Sequence, residues 1–472
     1  MTSPDIQTTP MRASYQPDAV LLGGAVIFAA SAVWAVQHAL SVMDALQGRG
    51  SQFAIVFMLA FALLMWQTVL CFFERPFTTT SEQQAESDAS YVALNVPCYN
   101  EDPGALRACL ESMLYQTRPP NLVHVVDDGS TADYSDTRAW FELNAPLHGV
   151  EAHWTRQDNA GKRSAQGATV RLAAKADFFV TVDSDAILDP NAIEEGLKPF
   201  ADRRVMSVAG VVMLANVRTN LLTRASELWF VVGQMIDRSA MSAMGGVLVN
   251  SGALAFYRAD LLRRHLDGYL NESFFGRRVE LSDDSMLTIY ALMEGRAVQQ
   301  PTAFAFTLMP ERYGHHRRQY VRWMRGAFIR SWWRFRYLPL GSYAYWNHLL
   351  GWMQMVLSLA TFGIFFVLVP VAASPKVLPY FLVVPLLVGL GQGLRYFAVR
   401  RSDMTRREQV GIYLLSPVTS LYSFFVLRFI RYYAMCTCLR TGWGTRQQVE
   451  LRMPSSGSVP APGTSALESV PT

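Results

Sequence analysis

The fold is decided by the stretch FFVTVDSD, Phe178 to Asp185, in which an apolar run ends in two carboxylates. Three other short apolar runs precede it, at Tyr91 to Val96, Leu122 to Val126 and Val150 to Trp154. Strands that are apolar throughout and alternate with helices are typical of a parallel sheet buried on both faces. The sequence therefore predicts an α/β domain with a mostly parallel sheet. The predicted connecting helices are Pro103 to Gln116, Tyr134 to Leu143 and Gly161 to Lys175.

Polar residues collect where three of these strands end. PCYNED, Pro97 to Asp102, follows the first strand, and DDGS, Asp127 to Ser130, follows the second. DSD, Asp183 to Asp185, follows the fourth. Because ligands bind beyond the carboxyl ends of the strands in such sheets, we expect a binding site built from these three loops.

The DSD motif is a candidate metal site. In an extended segment Asp183 and Asp185 point the same way, so their carboxylates can hold one Mg²⁺ or Mn²⁺ between them. A DxD pair alone is common at turns, and its position at the end of an apolar strand is what favours the metal. The sequence has neither a GxxxxGK[ST] loop nor a GxGxxG turn that opens a helix, which excludes two common nucleotide-binding motifs.

Two further segments offer polar groups to a substrate. Lys162 follows Gly161 at the start of a predicted helix, where N–H groups and a cation favour an anion, although a solvated charge is the alternative. The segment NSGALAFYR, Asn250 to Arg258, contains a small-residue turn at Ser251 and Gly252. Such a turn lets a substrate approach the backbone closely, but tight packing would explain it equally well.

Asp283 and Asp284 precede an apolar run and allow two interpretations. They can be acidic residues at the positive end of a helix dipole. They can also supply a general base, because transfer of a sugar to a hydroxyl needs a carboxylate to remove the proton of that hydroxyl. The residues alone leave both interpretations open.

The stretch HHRRQYVRW, His315 to Trp323, predicts a helix with an unusual face. Gln319, Arg322 and Trp323 fall at i, i+3 and i+4 and therefore share that face. A guanidinium suits bidentate recognition of phosphate, and an indole can stack on a sugar or a base. The alternative is an amphipathic helix in the membrane interface that carries no chemistry.

The composition predicts a membrane protein that carries a polar domain, because hydrophobic residues make up 51% of the chain and charged residues 17%. Ala19 to Leu40, Gln52 to Phe73, Leu349 to Val371 and Val377 to Val399 are each long enough to span a bilayer. Val410 to Met435 has arginines on both sides, which favours an interfacial or re-entrant segment with both ends in the cytoplasm.

The net charge is only +4, and we expect no nucleic-acid partner. The five cysteines form no CxxC pair, so the sequence predicts neither disulfides nor a cysteine metal site. The predicted organisation is a flexible tail (1–18), a transmembrane hairpin (19–73), a linker (74–90), a cytosolic catalytic domain (91–310), an interfacial helix (311–340), two transmembrane helices (345–400), an interfacial or re-entrant segment (405–446) and a disordered tail (447–472).

With these pieces in order, the sequence resembles the membrane-embedded family 2 glycosyltransferases of the cellulose synthase-like superfamily. Within them it is similar to the processive enzymes that make hyaluronan and chitin oligosaccharides. The resemblance rests on VPCYNED, VDDGS, NAGKR, VTVDSDA, NSGALAFYR, GRRVELSDDSMLT, QYVRW and TGWGTR, the last at Thr441 to Arg446. Ser282 stands where hyaluronan synthases usually have glycine, a departure that weakens the assignment to that subfamily.

The resemblance implies a GT-A type nucleotide-sugar domain inserted between transmembrane helices of a multi-pass plasma-membrane protein, with the catalytic domain in the cytosol. It implies a UDP-sugar donor, a growing polysaccharide acceptor, Mg²⁺ or Mn²⁺, and contact with the lipid bilayer. The oligomeric state is left open. The residues implied in nucleotide-sugar binding are Pro97, Tyr99, Asn100, Glu101, Asp127, Asp128, Lys162, Asp183, Trp443 and Arg446.

The resemblance also implies roles for the remaining motif residues. Asp183 and Asp185 would ligate the metal, and Asp284 would be the base with Asp283 as its neighbour. Gln319 and Arg322 would stabilise the leaving diphosphate. Trp323 would stack under the acceptor sugar, which would also approach Ser251 and Gly252.

The implied reaction is an inverting, direct displacement that polymerises UDP-activated sugars into a β-linked polysaccharide and extrudes it across the membrane. The alternatives are a chitin, cellulose or mannuronan-type synthase, or a non-processive enzyme that glycosylates a lipid. A transporter with a nucleotide-sensing domain is disfavoured, since the predicted spans contain few charged residues.

Overall fold

The computed structural model describes residues 11–17, 19–47, 59, 62–63, 65–363, 378–442 and 451 of the 472-residue chain. The strands are β1 (Ala13–Tyr15), β2 (Val92–Cys98), β3 (Leu122–Asp127), β4 (Glu151–Arg156), β5 (Phe178–Thr181), β6 (Ile187–Leu188), β7 (Val205–Leu214), β8 (Ala255–Arg258), β9 (Ser273–Phe274), β10 (Arg277–Arg278), β11 (Arg296–Thr307) and β12 (Val399–Arg401).

The α-helices of the described residues are α1 (Ala19–Gln47), α2 (Ser81–Ala89), α3 (Pro103–Leu114), α4 (Ser135–Asn144), α5 (Lys162–Leu172), α6 (Ala192–Leu197), α7 (Leu221–Gly233), α8 (Ser239–Ala243), α9 (Ala259–Leu270), α10 (Asp283–Glu294), α11 (Tyr313–Tyr337), α12 (Tyr343–Gly363), α13 (Leu378–Gly393), α14 (Arg406–Tyr413), α15 (Ser416–Tyr422) and α16 (Arg428–Cys436). A π-helical turn, Gln234–Arg238, joins α7 to α8, and a second, Ser423–Leu427, joins α15 to α16.

Eight of the described strands form one sheet, in the order β4-β3-β2-β5-β8-β7-β11-β6. The first four in this order are the strands predicted from the sequence, and they pair in parallel as expected. β8 and β6 run antiparallel to their neighbours, so the sheet is mixed. β7 and β11 pair in parallel and run in the same direction as the first four strands, so six of the eight strands share one direction and the sheet is mostly parallel, as predicted. Strand β8 was not predicted: it lies inside the NSGALAFYR segment, in which only the turn at Ser251 and Gly252 was recognised.

The central strands are buried on both faces, as their apolar sequences predict. Leu94 of β2 packs with Leu106 and Leu110 of α3 on one side of the sheet. Ala93, the preceding residue, packs with Val170 of α5 on the other side. Complete burial of a leucine stabilises a fold by about 2 kcal/mol. The strand ends that carry the polar loops therefore project from a rigid platform.

Helix α3 begins directly after the first polar loop because of Asp102 and Pro103. Oδ2 of Asp102 accepts a hydrogen bond from the backbone N–H of Ala105 at 3.1 Å, which caps the helix. Proline at the first helical position sacrifices no internal hydrogen bond. The cap fixes the end of the PCYNED loop at the edge of the sheet.

Regular secondary structure occurs within the predicted tail and the predicted linker. Ala13–Tyr15, in the predicted flexible tail, pairs antiparallel with Val399–Arg401. The predicted linker contains helix α2, which starts with a capping box between Thr80 and Gln83. The prediction of a flexible tail is corrected at Ala13–Tyr15, because a partner strand almost 390 residues away leaves no local signal. Helix α2 was not predicted, because its capping residues lie in a polar stretch without an apolar period, and the role of this segment as a linker stays a prediction.

Two helices of the described residues are long and apolar enough to cross a membrane by length and composition, which is weak evidence for insertion. One is Leu21–His38 within α1, and the other is Arg406–Cys436, which runs from α14 to α16. The second covers the segment predicted to be interfacial or re-entrant, so its placement in a membrane stays a prediction. The predicted spans Gln52 to Phe73 and Leu349 to Val371 lie partly outside the described residues, as does the first residue of the span Val377 to Val399.

Candidate active site

The three polar loops meet at one edge of the sheet, as predicted. Cys98 of β2 is paired with Asp127 of β3, and the N–H of Asp128 donates to the Cys98 carbonyl at 2.9 Å. From the third loop, Oγ of Ser184 lies 3.3 Å from Oε2 of Glu101. Adjacent parallel strands thus bring the loops together although the first and the third are more than 80 residues apart in sequence.

Asn100 and Asp128, both predicted to bind the nucleotide sugar, are buried and shape the loops. Oδ1 of Asn100 accepts from the N–H and the hydroxyl of Thr131. Oδ1 of Asp128 accepts from the N–H of Ala160 at 2.9 Å, and Oδ2 accepts from the N–H of Gly161 at 2.9 Å. Asp128 therefore holds the NAGKR loop, whose Gly161 has a φ of 90° that favours glycine.

Asp127, Pro97 and Tyr99 line the same edge. The Asp127 carboxylate is buried, accepts from the N–H of Ser130 at 2.8 Å and lies 3.3 Å from Nη1 of Arg156. Pro97 and Tyr99 are half-buried. These residues are brought together as predicted, and their contact with a nucleotide remains a prediction.

Lys162 connects the strand-end loops to the second acidic motif. Its Nζ lies 2.6 Å from Oδ1 of Asp183 and 3.4 Å from Oδ2 of Asp283. Burial alone would lower the pKa of Lys162, but the charges of Asp183 and Asp283 hold that pKa above its usual value. Lys162 therefore stays cationic, and it stands where a diphosphate can approach Asp183.

Gly252, a predicted acceptor residue, lies against this ion pair. A Cβ atom there would lie 3.1 Å from Nζ of Lys162 and 3.3 Å from Oδ1 of Asp183. Ser251, its neighbour, accepts a hydrogen bond from Nη2 of Arg238 at 2.6 Å. The missing side chain of Gly252 thus leaves the Lys162–Asp183 pair accessible from this side.

Asp283 and Asp284 stand at the first turn of α10, and their environments push their acidities apart. Burial alone would raise the pKa of Asp283, but Lys162 and Arg163 lower that pKa below its usual value. Burial and the negative charge of Asp283 raise the pKa of Asp284 to about 6. Asp284 is half-buried, and its Oδ1 accepts from the N–H of Ser285 at 2.6 Å. A carboxylate with a pKa in this range is suited to accept a proton near neutral pH.

The QYVRW segment is helical, as predicted, and lies within α11. Gln319, Arg322 and Trp323 are half-buried on it. The indole of Trp323 stacks on the ring of Phe230, with ring centroids 6.2 Å apart and an interplanar angle of 28°. The same helix reaches the Asp284 loop further along, where Nε of Arg330 donates to the Ser282 carbonyl at 3.1 Å.

Trp443 and Arg446 lie outside the described residues, but the ends of their segment are placed. The carbonyl of Thr441 accepts from the N–H of Glu280, just before the second acidic motif, at 3.2 Å. At the other end, Leu451 packs against Ala105 and Leu308.

Asp183 and Asp185 supply carboxylate oxygens, the type of ligand that binds a metal shared with a substrate. Among the residues that the structure describes, no group of three or more His, Cys, Asp and Glu side chains could hold an ion by itself. Mg²⁺ is commonly bound by one or two carboxylates and completes its coordination with water and substrate phosphates. The DSD segment is not extended as predicted: it forms a turn, in which the N–H of Ala186 donates to the Asp183 carbonyl at 2.9 Å. Asp183 is one-third exposed and Asp185 is buried, and a metal held by both carboxylates stays a prediction.

Four residues of the site were not predicted in their present role. Arg163 and Arg330 contact the backbone before Asp283, Glu272 pairs with both, and Arg238 contacts Ser251. No local pattern distinguishes Glu272 from a surface carboxylate. Arg330 was expected in an interfacial helix, where an arginine needs no partner.

Comparisons with known proteins give the family. A family model described as glycosyltransferase like family 2 matches residues 89–326. The hyaluronan synthase of Streptococcus pyogenes is 33% identical over 369 residues, which cover 76% of this chain and 84% of that protein. An N-acetylglucosaminyltransferase of Bradyrhizobium diazoefficiens is 31% identical over 293 residues, 59% of each chain.

A solved structure agrees with the fold. The mannosyltransferase of Pyrobaculum calidifontis, determined in complex with GDP-Man and Mn²⁺, superposes with a TM-score of 0.51 at 17% identity. The match covers 87% of this chain and 100% of that one, and at this identity it supports the fold alone. The family model and the hyaluronan synthase similarity together establish that the chain belongs to the family 2 glycosyltransferases and is a glycosyltransferase with a GT-A fold.

Proposed function

We propose that the protein is an inverting, processive glycosyltransferase that polymerises UDP-activated sugars into a β-linked polysaccharide of the hyaluronan type. The observation that carries the proposal is the position of Asp284. This carboxylate has a pKa raised to about 6, and its neighbour Asp283 contacts the Lys162–Asp183 pair. A proton acceptor thus stands beside a cluster that suits a diphosphate. Similarity to the hyaluronan synthase over 84% of that enzyme supports the choice of polymer class.

The residues divide the reaction between them. Asp284 removes the proton of the acceptor hydroxyl, whose oxygen attacks the anomeric carbon of the donor. The bond from that carbon to the diphosphate oxygen breaks on the opposite face, so the configuration inverts and UDP leaves with the electron pair. Lys162 and Arg322 offset the negative charge that develops on UDP. General base catalysis of this kind contributes about 10²–10⁴-fold to a rate.

Metal binding and acceptor binding complete the proposal. Asp183 and Asp185 would hold Mg²⁺ or Mn²⁺, which neutralises diphosphate charge when it is bound. Trp323 would stack under the acceptor sugar, because an indole offers a flat apolar surface. Trp443 and Arg446 would contact the bound nucleotide sugar from a segment whose ends lie at Glu280 and at Ala105.

The membrane part of the proposal is a multi-pass arrangement in the plasma membrane with the catalytic domain in the cytosol. The helices Leu21–His38 and Arg406–Cys436 support it by length and composition. The apolar helices would then stand beside the site where the polymer grows and would offer it a path across the bilayer.

The donor test uses the purified full chain in lipid with Mn²⁺. UDP-GlcNAc is supplied alone and then together with UDP-glucuronate, while UDP release and product size are measured. High polymer that requires both donors supports the hyaluronan type. Polymer from UDP-GlcNAc alone indicates a chitin-type enzyme, the second candidate, which the N-acetylglucosaminyltransferase similarity favours. If no UDP is released with UDP-GlcNAc alone or with the two donors together, both candidate functions are contradicted.

A further inference from the structure

Glu272 is a buried carboxylate to which the proposed reaction gives no role. Its residue is 7% exposed, and it follows helix α9. Nη1 of Arg163 lies 2.5 Å from its Oε2, and Arg330, which is fully buried, donates to both of its oxygens. The indole Nε1 of Trp333 donates to Oε1 at 2.9 Å. Two buried guanidinium groups thus share one carboxylate.

The remaining donors of the two arginines hold the backbone in front of the second acidic motif. Nη2 of Arg330 and Nη2 of Arg163 donate to the Leu281 carbonyl at 2.9 and 3.1 Å. Nε of Arg330 donates to the Ser282 carbonyl at 3.1 Å. Ser282 has a φ of 58°, a left-handed conformation that a residue with a side chain adopts only when its surroundings impose it. The arginines supply that support one and two residues before Asp283.

These contacts connect helix α5, helix α11 and the loop before Asp283, which carry the proposed reacting groups. Arg163 directly follows Lys162 on α5, and Arg330 lies on α11 two helical turns after Arg322. Helix α11 also packs closely on the loop at Gly326, where a Cβ atom would lie 2.6 Å from Cβ of Ser282. The Glu272 cluster, defined as Glu272, Arg163 and Arg330, is the ionic junction between them.

We propose that the residues of the Glu272 cluster are positioning residues, which fix the Asp284 loop relative to Lys162 and to helix α11. The inference rests on the proposed function, in which Asp284 is the base. A guanidinium presents several N–H groups in a rigid fork, so Arg330 can bind a carboxylate and two carbonyls at once. A lysine is a compact charge that can pair with Glu272 but cannot reproduce this set of bonds.

The decisive variant is Arg330→Lys, because it keeps the charge opposite Glu272 and removes the fork. We expect kcat to fall about 10- to 100-fold, since misplacement of a reacting group by about 1 Å can cost about 100-fold. The KM for the donor and the Kd for UDP should stay within about twofold, because the Lys162–Asp183 pair is untouched. UDP release gives kcat and KM, and calorimetry with UDP gives Kd.

Arg401→Lys is the matched control. Arg401 is also a buried arginine, paired with Glu227 at 2.9 Å, and it donates to the Leu214 carbonyl, away from the Asp284 loop. Arg401→Lys should lower the midpoint of thermal unfolding about as much as Arg330→Lys does, and it should leave kcat per folded enzyme unchanged. A purely structural Glu272 cluster would give the two variants the same behaviour.

Trp333→Phe is the second variant and decides the matter if Arg330→Lys does not fold. It removes one N–H from Glu272 and keeps an aromatic ring, and we expect a smaller loss of kcat, about threefold, with Kd for UDP unchanged. Its control is Trp352→Phe, which removes an indole N–H that donates to Ser331. The inference is overturned if Arg330→Lys retains wild-type kcat, if kcat and UDP affinity fall together, or if the controls lose as much kcat. Wild-type enzyme without transferase activity would refute the proposed function instead.

Discussion

Asp283 and Asp284 are adjacent carboxylates that their neighbours make chemically different. Lys162 lies 3.4 Å from Asp283 and favours the charged form of that carboxylate. For Asp284, burial and the negative charge of Asp283 are the larger effects, and they raise its pKa. A pair whose acidities are pushed apart in this way gives one fixed anion and one group that exchanges protons. The sequence suggested a base at this motif but left a helix-dipole role equally open. Helix α10 begins at Asp283, so both descriptions apply to the same residues.

The proposed role of Asp284 as the base predicts the pH dependence of the reaction. Only its deprotonated form accepts a proton, and its pKa is raised to about 6, so kcat/KM should rise with pH up to about 6 and level off above it. Initial rates of UDP release across the range from about pH 5 to 8 measure this. A profile that falls as the pH rises through 6 would show that the group acts as an acid instead.

Gly252 offers a test of access to the Lys162–Asp183 pair. In Gly252→Ala the new methyl group would lie 3.1 Å from Nζ of Lys162, so we expect the KM for the donor to rise about tenfold, equivalent to about 1.4 kcal/mol of binding. The control is Gly233→Ala, at a helical glycine with open space around it. Steady-state kinetics compare the two, and equal effects would mean that Gly252 has no special relation to the donor.

At the scale of elements, the sequence predicted those strands and helices that depend on residues close together in the chain. The four strands from β2 to β5 and the helices between them follow from apolar runs and periodicity, and the structure confirms them. β8 was missed because its pairing with β5 and β7 depends on residues 46 to 80 positions away. The small residues Ser251 and Gly252, just before it, resemble a turn in isolation.

Helix α2 gives a prediction at this scale. Its capping box joins Thr80 to Gln83, and Thr80→Ala should lower the free energy of unfolding of its region by about 1 kcal/mol. Ser81→Ala, at the exposed neighbouring residue, is the control. Local hydrogen exchange of α2 measures the effect, while UDP release should be unchanged. No difference in exchange between the two variants would contradict the cap.

At the scale of the whole molecule, the sequence placed three loops at one sheet edge but could not show what joins them to the rest. The Glu272 cluster joins α5, α11 and the Asp284 loop through side chains up to 167 residues apart, counted from Arg163 to Arg330. Each arginine, taken alone, is indistinguishable from a solvated charge. Burial and geometry alone reveal the junction, because every bond in it is long-range.

The central claim is that one active site adds many sugars to one chain. The most direct test counts UDP released per product chain during the first turnovers, with the donors that support activity and with the enzyme far below its substrates. The account predicts many UDP molecules per chain from the earliest times, and loss of this signal in Asp284→Asn with UDP binding retained. One UDP per product molecule, or an Asp284→Asn variant with normal turnover, would contradict it.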